Sequence, residues 1–149
     1  MNIRIRTAKK NDIPIILGLL YELGRPKPET DSDVEVFRIL VKKQISDSRK
    51  SILVAENDDV NVVGMMSLIF LPRLNQNGPE LYIPEIIVTE KYQKKGIGTQ
   101  LMEACIILAK ENQCYKIRLE SGNLRKEAHQ FYKNLGFESN SLSFTLDIR

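Results

Sequence analysis

This chain is short of the residues that metal and disulfide chemistry use. It has one histidine and two cysteines in 149 residues, and they are not clustered, so a zinc site has no ligand set to draw on. Cys105 falls on the apolar stripe of a helix and Cys114 at that helix's end. Two such cysteines make no disulfide framework, and a reduced, cytoplasmic protein is the simpler expectation. No run approaches the ~20 apolar residues that a membrane-spanning helix needs. The opening Met1-Asn2-Ile3-Arg4-Ile5-Arg6 alternates like a strand and lacks the apolar stretch of a secretory signal. Net charge is only +3, with the basic residues spread along the chain, so nothing points to nucleic acid as a partner. Repeats, low-complexity tracts and long linkers are also missing. A single domain over residues 1–149 is expected, with 42% hydrophobic and 28% charged residues giving it a globular composition.

What is present is a clear alternation of strand and helix patterns. Ile3–Thr7 reads as a strand, and a helix starts at Asn11 or Asp12 with Pro14 in its first turn, where a missing N–H costs nothing. Gly24-Arg25-Pro26-Lys27-Pro28 ends it. A second helix is expected over Asp31–Ser46, with Val34, Phe37, Leu40, Val41 and Ile45 as its apolar stripe. Ser51–Glu56 and Val60–Leu71 form a hairpin around Asn57-Asp58-Asp59. After a polar loop, Pro72–Pro79, come a strand at Leu81–Val88 and a helix from about Gly98 to Asn112. Tyr115–Glu120 is a strand, Leu124–Leu135 a helix, and Ser141–Ile148 a last alternating strand. The order β-α-α-β-β-β-α-β-α-β predicts an α/β (α+β) fold with a hairpin half and a β-α-β half.

Between the Leu81–Val88 strand and the following helix lies Gln93-Lys94-Lys95-Gly96-Ile97-Gly98. A basic, glycine-bearing turn at a helix start offers unpaired N–H groups and a positive dipole end to an anion, and glycines let a phosphate approach. Two common nucleotide turns are excluded. Gly98 is followed by Thr99-Gln100 rather than the Lys-Ser/Thr of a P-loop, and Leu101 stands where a dinucleotide fingerprint has its third glycine. Further on, Ser121-Gly122-Asn123-Leu124-Arg125-Lys126-Glu127-Ala128-His129-Gln130-Phe131-Tyr132-Lys133-Asn134-Leu135-Gly136-Phe137 carries an apolar stripe of Ala128, Phe131, Tyr132 and Leu135. Asn123 is suited to cap that helix, and Gly136 to end it.

The Q-x-x-G-x-G turn between strand and helix resembles the acetyl-coenzyme A motif of the GNAT superfamily of N-acetyltransferases. The A-x-x-F-Y-x-x-x-G-F segment resembles that family's C-terminal motif. The two stand in the expected order, and the resemblance covers essentially the whole chain. It implies a mixed, mostly antiparallel central sheet flanked by about four helices, with the strands at Leu81–Val88 and Tyr115–Glu120 splayed to admit the pantetheine arm. It implies acetyl-CoA as cosubstrate, no metal, and direct transfer to a primary amine. Acceptors of similar family members include amino sugars and aminoglycosides. A protein or peptide amine, or a non-catalytic acyl-CoA-binding regulatory module, are the alternatives. Relatives in this family are often dimers, so a homodimer stays open.

The same resemblance implies particular residues. Backbone groups of Ile86, Ile87 and Val88 would align the arm, and Gln93, Lys94, Lys95, Gly96, Ile97, Gly98 and Thr99 would hold the pyrophosphate, with Asn123 a further CoA contact. Tyr132 would protonate the departing thiolate; a phenol, with an ordinary pKa of ~10, is still protonated at neutral pH. Glu85 is the candidate general base, but relatives often carry that Glu four residues before the Val88 position, where Pro84 stands. Strand alternation turns Glu85 to the opposite face unless Pro84 marks a bulge. Two segments could border the acceptor: the acidic group Glu29, Asp31, Asp33 and Glu35, equally explained as helix-start electrostatics, and the loop Pro72–Pro79. His129 reads as an exposed helical residue.

Overall fold

The computed structural model describes residues 1–149, which gather into two compact units, residues 1–118 and 119–149. In the first, the patterns resolve into β1 (Arg4–Thr7), α1 (Ile13–Leu23), α2 (Asp31–Ser46), β2 (Lys50–Glu56), β3 (Val62–Leu71), β4 (Glu80–Ile83), β5 (Ile86–Val88), α3 (Ile97–Glu111) and β6 (Lys116–Leu119). The strands lie in the order β1-β2-β3-β4-β6, with β5 also paired to β3. The pairings of β1 with β2, β2 with β3, and β3 with both β4 and β5 are antiparallel.

Local chemistry sets the ends of the elements. Pro14 sits in the first turn of α1, and Gly24 ends it at φ +103°, a left-handed value that glycine adopts freely. Thr30 and Asp33 cap α2 reciprocally, side chain to backbone in both directions. At the β2–β3 hairpin, Asn57 Oδ1 accepts from the N–H groups of Asp59 and Asn61. On one face of the sheet, Ile13, Ile16, Leu17 and Leu19 of α1 and Val41 of α2 bury Ile52, Val54 and Met65. The alternate strand residues Leu53, Met66 and Leu68 are buried too, as are Ile97, Leu101, Met102 and Cys105 of α3. The rest of the predicted α2 stripe is not sealed: Val34 and Leu40 are exposed, and Val41 is that helix's one buried residue. Phe37 and Ile45, partly buried, pack against the same core one turn to either side of Val41, so the helix is held by that stripe and by its caps.

Charged groups close the sheet where it is dry. Arg6 grips both oxygens of Asp12, at 2.8 and 3.0 Å, and reaches Glu56 at 2.9 Å. The Arg6 guanidinium holds the Asp12 carboxyl below its ordinary value. Glu80, 1% exposed, pairs with Arg118 of β6 and lies 3.6 Å from Arg73. Arg118 also stacks over the Tyr82 ring.

The second unit holds α4 (Lys126–Asn134). Gly136, at φ +98°, and Phe137 turn their N–H groups back to the carbonyls of Lys133 and Tyr132 and end the helix. The last strand expected from the alternation over Ser141–Ile148 does not form. Alternation makes a strand only where a second strand supplies hydrogen bonds, and here Leu142, Phe144, Leu146 and Ile148 stay 82–90% exposed.

Candidate active site

The expected single strand over Leu81–Val88 is two strands in different registers. Tyr82 faces Ile69 and Glu80 faces Leu71, whereas Ile86 faces Met66 and Val88 faces Gly64. Carried inward to Leu68, the first register places Ile83 opposite it and the second places Pro84. One extra residue is therefore inserted there: a β-bulge at the proline, where the missing N–H interrupts no ladder. β4 pairs on both sides, to β3 and β6, but β5 pairs only β3. The strands splay beyond the bulge.

The register also decides which β5 groups face the gap. Ser67 N–H bonds Glu85 C=O and Thr89 N–H bonds Val63 C=O, both at 2.9 Å. Antiparallel bonding alternates, so residues 85, 87 and 89 turn their polar groups to β3 while Ile86 and Val88 turn theirs to the open edge. Ile87, expected to serve that edge, is corrected to the β3 side. The Val88 carbonyl accepts from the Gln93 side-chain amide at 2.8 Å, so Gln93 is held against the strand rather than pointed at the turn.

Past β5 the chain makes a tight turn into α3. Lys94 has φ +61° and Gly96 has φ +82°, and Gly96 starts α3 with no side-chain cap. The first helical bond is Gln100 N–H to Gly96 C=O, which leaves the N–H groups of Ile97, Gly98 and Thr99 without intrahelical partners at the positive end of the dipole. A left-handed lysine is unusual backbone that a functional turn tolerates. The Lys95 ammonium lies 5.5 Å from the Tyr92 ring centre, and Lys91 lies 5.7 Å from the same ring. The Lys94 side chain is exposed. Glu22 of α1 braces the approach, accepting from Thr89 Oγ1 and Glu90 N–H.

The bulge gives Glu85 a setting of its own. Its carboxylate accepts from Ser67 Oγ at 2.5 Å and from Arg25 Nε at 3.3 Å, and its N–H donates to Ser67 Oγ at 3.0 Å. Arg25 also reaches the Pro84 carbonyl. Ser67 and Arg25 were not singled out from sequence. Ser67 was legible as the one hydroxyl in the apolar run Gly64-Met65-Met66-Ser67-Leu68-Ile69-Phe70.

In the second unit, Tyr132 stacks edge-on against Phe131 and Phe137, with ring centres 5.3 and 5.9 Å apart. Burial pushes its phenol above the ordinary value of 10, and the Arg125 charge pulls the other way. Asn123 does not cap α4: the cap position is Arg125, without a side-chain bond, because the chain first makes a turn closed by Arg125 N–H to Gly122 C=O. His129 is half-buried, not exposed, and its Nε2 donates to the Gly122 carbonyl at 2.7 Å. The Ser121 hydroxyl beside it is buried without a partner.

The segments expected to border the acceptor have partners of their own. Asp33 is used up in capping and Glu35 pairs with Arg38, as helix-start chemistry requires. The 72–79 loop is bound through the Pro79 carbonyl to the N–H of Tyr115, in the connection between α3 and β6; α3 itself separates that connection from the glycine turn by about 22 Å of helix. A cavity of about 310 Å³ beside this loop is lined in part by Arg49, Phe70 and Arg73. Burial pushes the Cys105 thiol up to about 12 and raises Cys114 as well, so neither is a ready nucleophile. No group of three or more His, Cys, Asp or Glu side chains is placed to hold a metal ion, and no helix is long and apolar enough to cross a membrane.

Residues 17–137 match the model of the acetyltransferase (GNAT) family. Glucosamine 6-phosphate N-acetyltransferase of Trypanosoma brucei brucei is 24% identical over 149 residues, covering 99% of this chain and 97% of that protein. N-alpha-acetyltransferase 30 of Xenopus laevis is 41% identical over 56 residues, 38% of this chain and 20% of that longer protein. A crystal structure described as a transcriptional regulator from Bacillus halodurans C-125 superposes with a TM-score of 0.84 at 28% identity, over 99% of this chain and 100% of that one.

Proposed function

The chain belongs to the GNAT family of acetyltransferases, and from that premise we propose that it moves the acetyl group of acetyl-CoA directly to the primary amine of a small molecule, an amino sugar or a compound like an aminoglycoside. The observation that carries this reading is the open edge of β5 leading into the uncapped start of α3. The pantetheine arm is a chain of amides, so it bonds to the outward groups of Ile86 and the Val88 N–H as a strand would. The pyrophosphate takes the N–H groups between Lys94 and Thr99.

An alkyl ammonium first gives a proton to the Glu85 carboxylate, directly or through water. The free amine nitrogen attacks the thioester carbonyl carbon, the C–N bond forms, and the C–S bond breaks. The thiolate leaves with the Tyr132 proton, and the second amine proton restores the phenol through solvent. The raised pKa of Tyr132 suits an acid that must be protonated at neutral pH. The buried Cys105 and the raised pKa of both thiols support direct transfer over an acetyl-cysteine intermediate. Two free cysteines also fit a cytoplasmic setting. The full-length likeness to a glucosamine 6-phosphate N-acetyltransferase favours a small amine.

The shorter, higher identity to an N-alpha-acetyltransferase favours a second reading, a peptide N-terminus as acceptor. A non-catalytic acyl-CoA-binding regulator is the third, favoured by the solved relative described as a transcriptional regulator and by Pro84 standing where relatives carry Glu. The test is CoA release from acetyl-CoA against amino sugars and their phosphates, aminoglycosides, polyamines and short peptides. Saturable release with an amino sugar or aminoglycoside is expected. Release with peptides alone would replace the first reading by the second. Acetyl-CoA binding without release from any amine would replace both by the regulator.

A further inference from the structure

Two groups of unequal kind hold the Glu85 carboxylate. Ser67, 4% exposed, donates to one oxygen and accepts from the Glu85 N–H at 3.0 Å, a closed ring that fixes the side chain from within the sheet. Arg25 holds the other oxygen from outside, through Nε at 3.3 Å, with its side chain 49% exposed. So exposed an ion pair contributes little to the fold, and a contact that long is readily exchanged. The arginine is nevertheless placed firmly. Gly24, left-handed at φ +103°, ends α1 immediately before it, and Pro26 restricts its backbone immediately after. Its Nη2 donates to the Pro84 carbonyl at 3.1 Å, and Nη1 has no partner in the protein. A guanidinium with a free donor thus stands beside the carboxylate that the acceptor's ammonium must reach.

We infer that Arg25 is a specificity residue that binds a phosphate or carboxylate carried by the acceptor, while Glu85 takes the ammonium of the same molecule. This deepens the acetyl-transfer reading and rests on Glu85 receiving that ammonium. The argument is one of charge. A purely cationic amine meets a guanidinium already seated on its carboxylate, and must push a like charge aside to bind. A zwitterionic amine exchanges the internal ion pair for two intermolecular ones, ammonium to carboxylate and anion to guanidinium, and no charge loses its partner. The planar fork of an arginine meets either anion through two N–H groups at once. Ser67 keeps Glu85 in place while Arg25 turns to the anion. The pair therefore favours an amine bearing an anion over a polycation.

The experiment is titration calorimetry on the full chain saturated with CoA, using matched ligands: glucosamine against glucosamine 6-phosphate, and glycinamide against glycine. In at least one pair the anionic member should bind ~tenfold tighter or more, the size of a charge-assisted contact. Which pair shows it distinguishes phosphate from carboxylate. Arg25→Gln should abolish the preference by weakening the anionic member alone. Arg25→Lys, which keeps the charge and loses the fork, should retain part of it. The urea midpoints of both variants should stay near that of the wild type, because the pair they break is exposed. Equal affinities within both pairs overturn the inference, as does a preference that survives Arg25→Gln, or no binding by any of these ligands. Equal weakening of both members in Arg25→Gln would also overturn it, by making Arg25 a mere support for Glu85. An Arg25-dependent preference without CoA release from acetyl-CoA would sustain the inference and remove the acetyl-transfer reading.

Discussion

β4 and β5 occupy one nine-residue stretch, 80–88, and their surroundings differ on almost every count. β4 is paired on both edges, and Glu80, Leu81 and Ile83 are at most 2% exposed. β5 is paired on one edge, and its three residues are only half-buried. A single inserted residue, Pro84, separates them. The bulge ends one register and starts another, so a strand paired on both sides continues as one with an open edge, without a change in the sheet that carries it. Sealed backbone holds the fold, and the open backbone is the edge on which the proposed pantetheine contact rests. Substitutions on the β4 side should therefore move stability, and those at the open edge and its catalytic partners should move activity.

The largest expected effect lies on the sealed side. Glu80→Gln removes the buried carboxylate that Arg73 and Arg118 reach from more exposed positions, so its charge-assisted contacts with both are lost. It should cost about 3 kcal/mol of unfolding free energy, measured by urea titration, while acetyl-CoA affinity of the folded fraction changes less than about twofold. A large affinity loss with unchanged stability would invert the comparison.

Tyr132→Phe should lower kcat about 100-fold, the usual size of a general-acid contribution, with little change in stability because the ring contacts with Phe131 and Phe137 persist. Burial raises the phenol's pKa, so wild-type activity should hold until pH exceeds the ordinary tyrosine value. The variant should lack that alkaline fall. Turnover within a few-fold of wild type would remove Tyr132 from the chemistry.

How much of this was legible beforehand divides along the same line. The bounds expected for α2 match those found, Asp31–Ser46, because its apolar spacing runs almost the length of the helix; the Thr30–Asp33 cap emerged only from the structure. The glycine turn was readable because left-handed backbone has a residue signature. The bulge could be raised from Pro84 but not established, since it exists only as a register difference against β3. For the same reason Ile87 could not be told from Ile86 and Val88. Ser67 and Arg25 come to Glu85 across 18 and 60 residues of sequence, a distance no local pattern spans. The tail was misread because alternation is a local signal, whereas a strand needs a hydrogen-bonding partner that no strand of the fold supplies to it.

At the open end, Gly96→Val tests the turn. A Cβ there meets nothing within 4 Å, so the clash is conformational: φ is +82°, a value that a β-branched residue resists. The strain should cost about 1 kcal/mol or more. Acetyl-CoA affinity, measured calorimetrically, should fall about tenfold beyond that, because the turn relaxes away from the shape that presents its N–H groups. A stability loss with unchanged affinity would take the pyrophosphate elsewhere.

The smallest effect belongs to the closed region again, and pH isolates it. Asp12 is held below its ordinary value of 3.8 chiefly by its hydrogen bonds with Arg6. The folded chain therefore binds that proton more weakly than the unfolded chain. Its contribution is complete above the unfolded value and is lost as pH falls through the folded one. Asp12→Asn keeps an oxygen for Arg6 or for the Lys9 N–H and removes the charge, so about 1 kcal/mol should go at neutral pH. Urea titrations of both proteins should then converge as the solution is acidified below the ordinary carboxylate range. A gap that persists unchanged into acid would mean that packing around Asp12, not its charge, ties β1 to the start of α1.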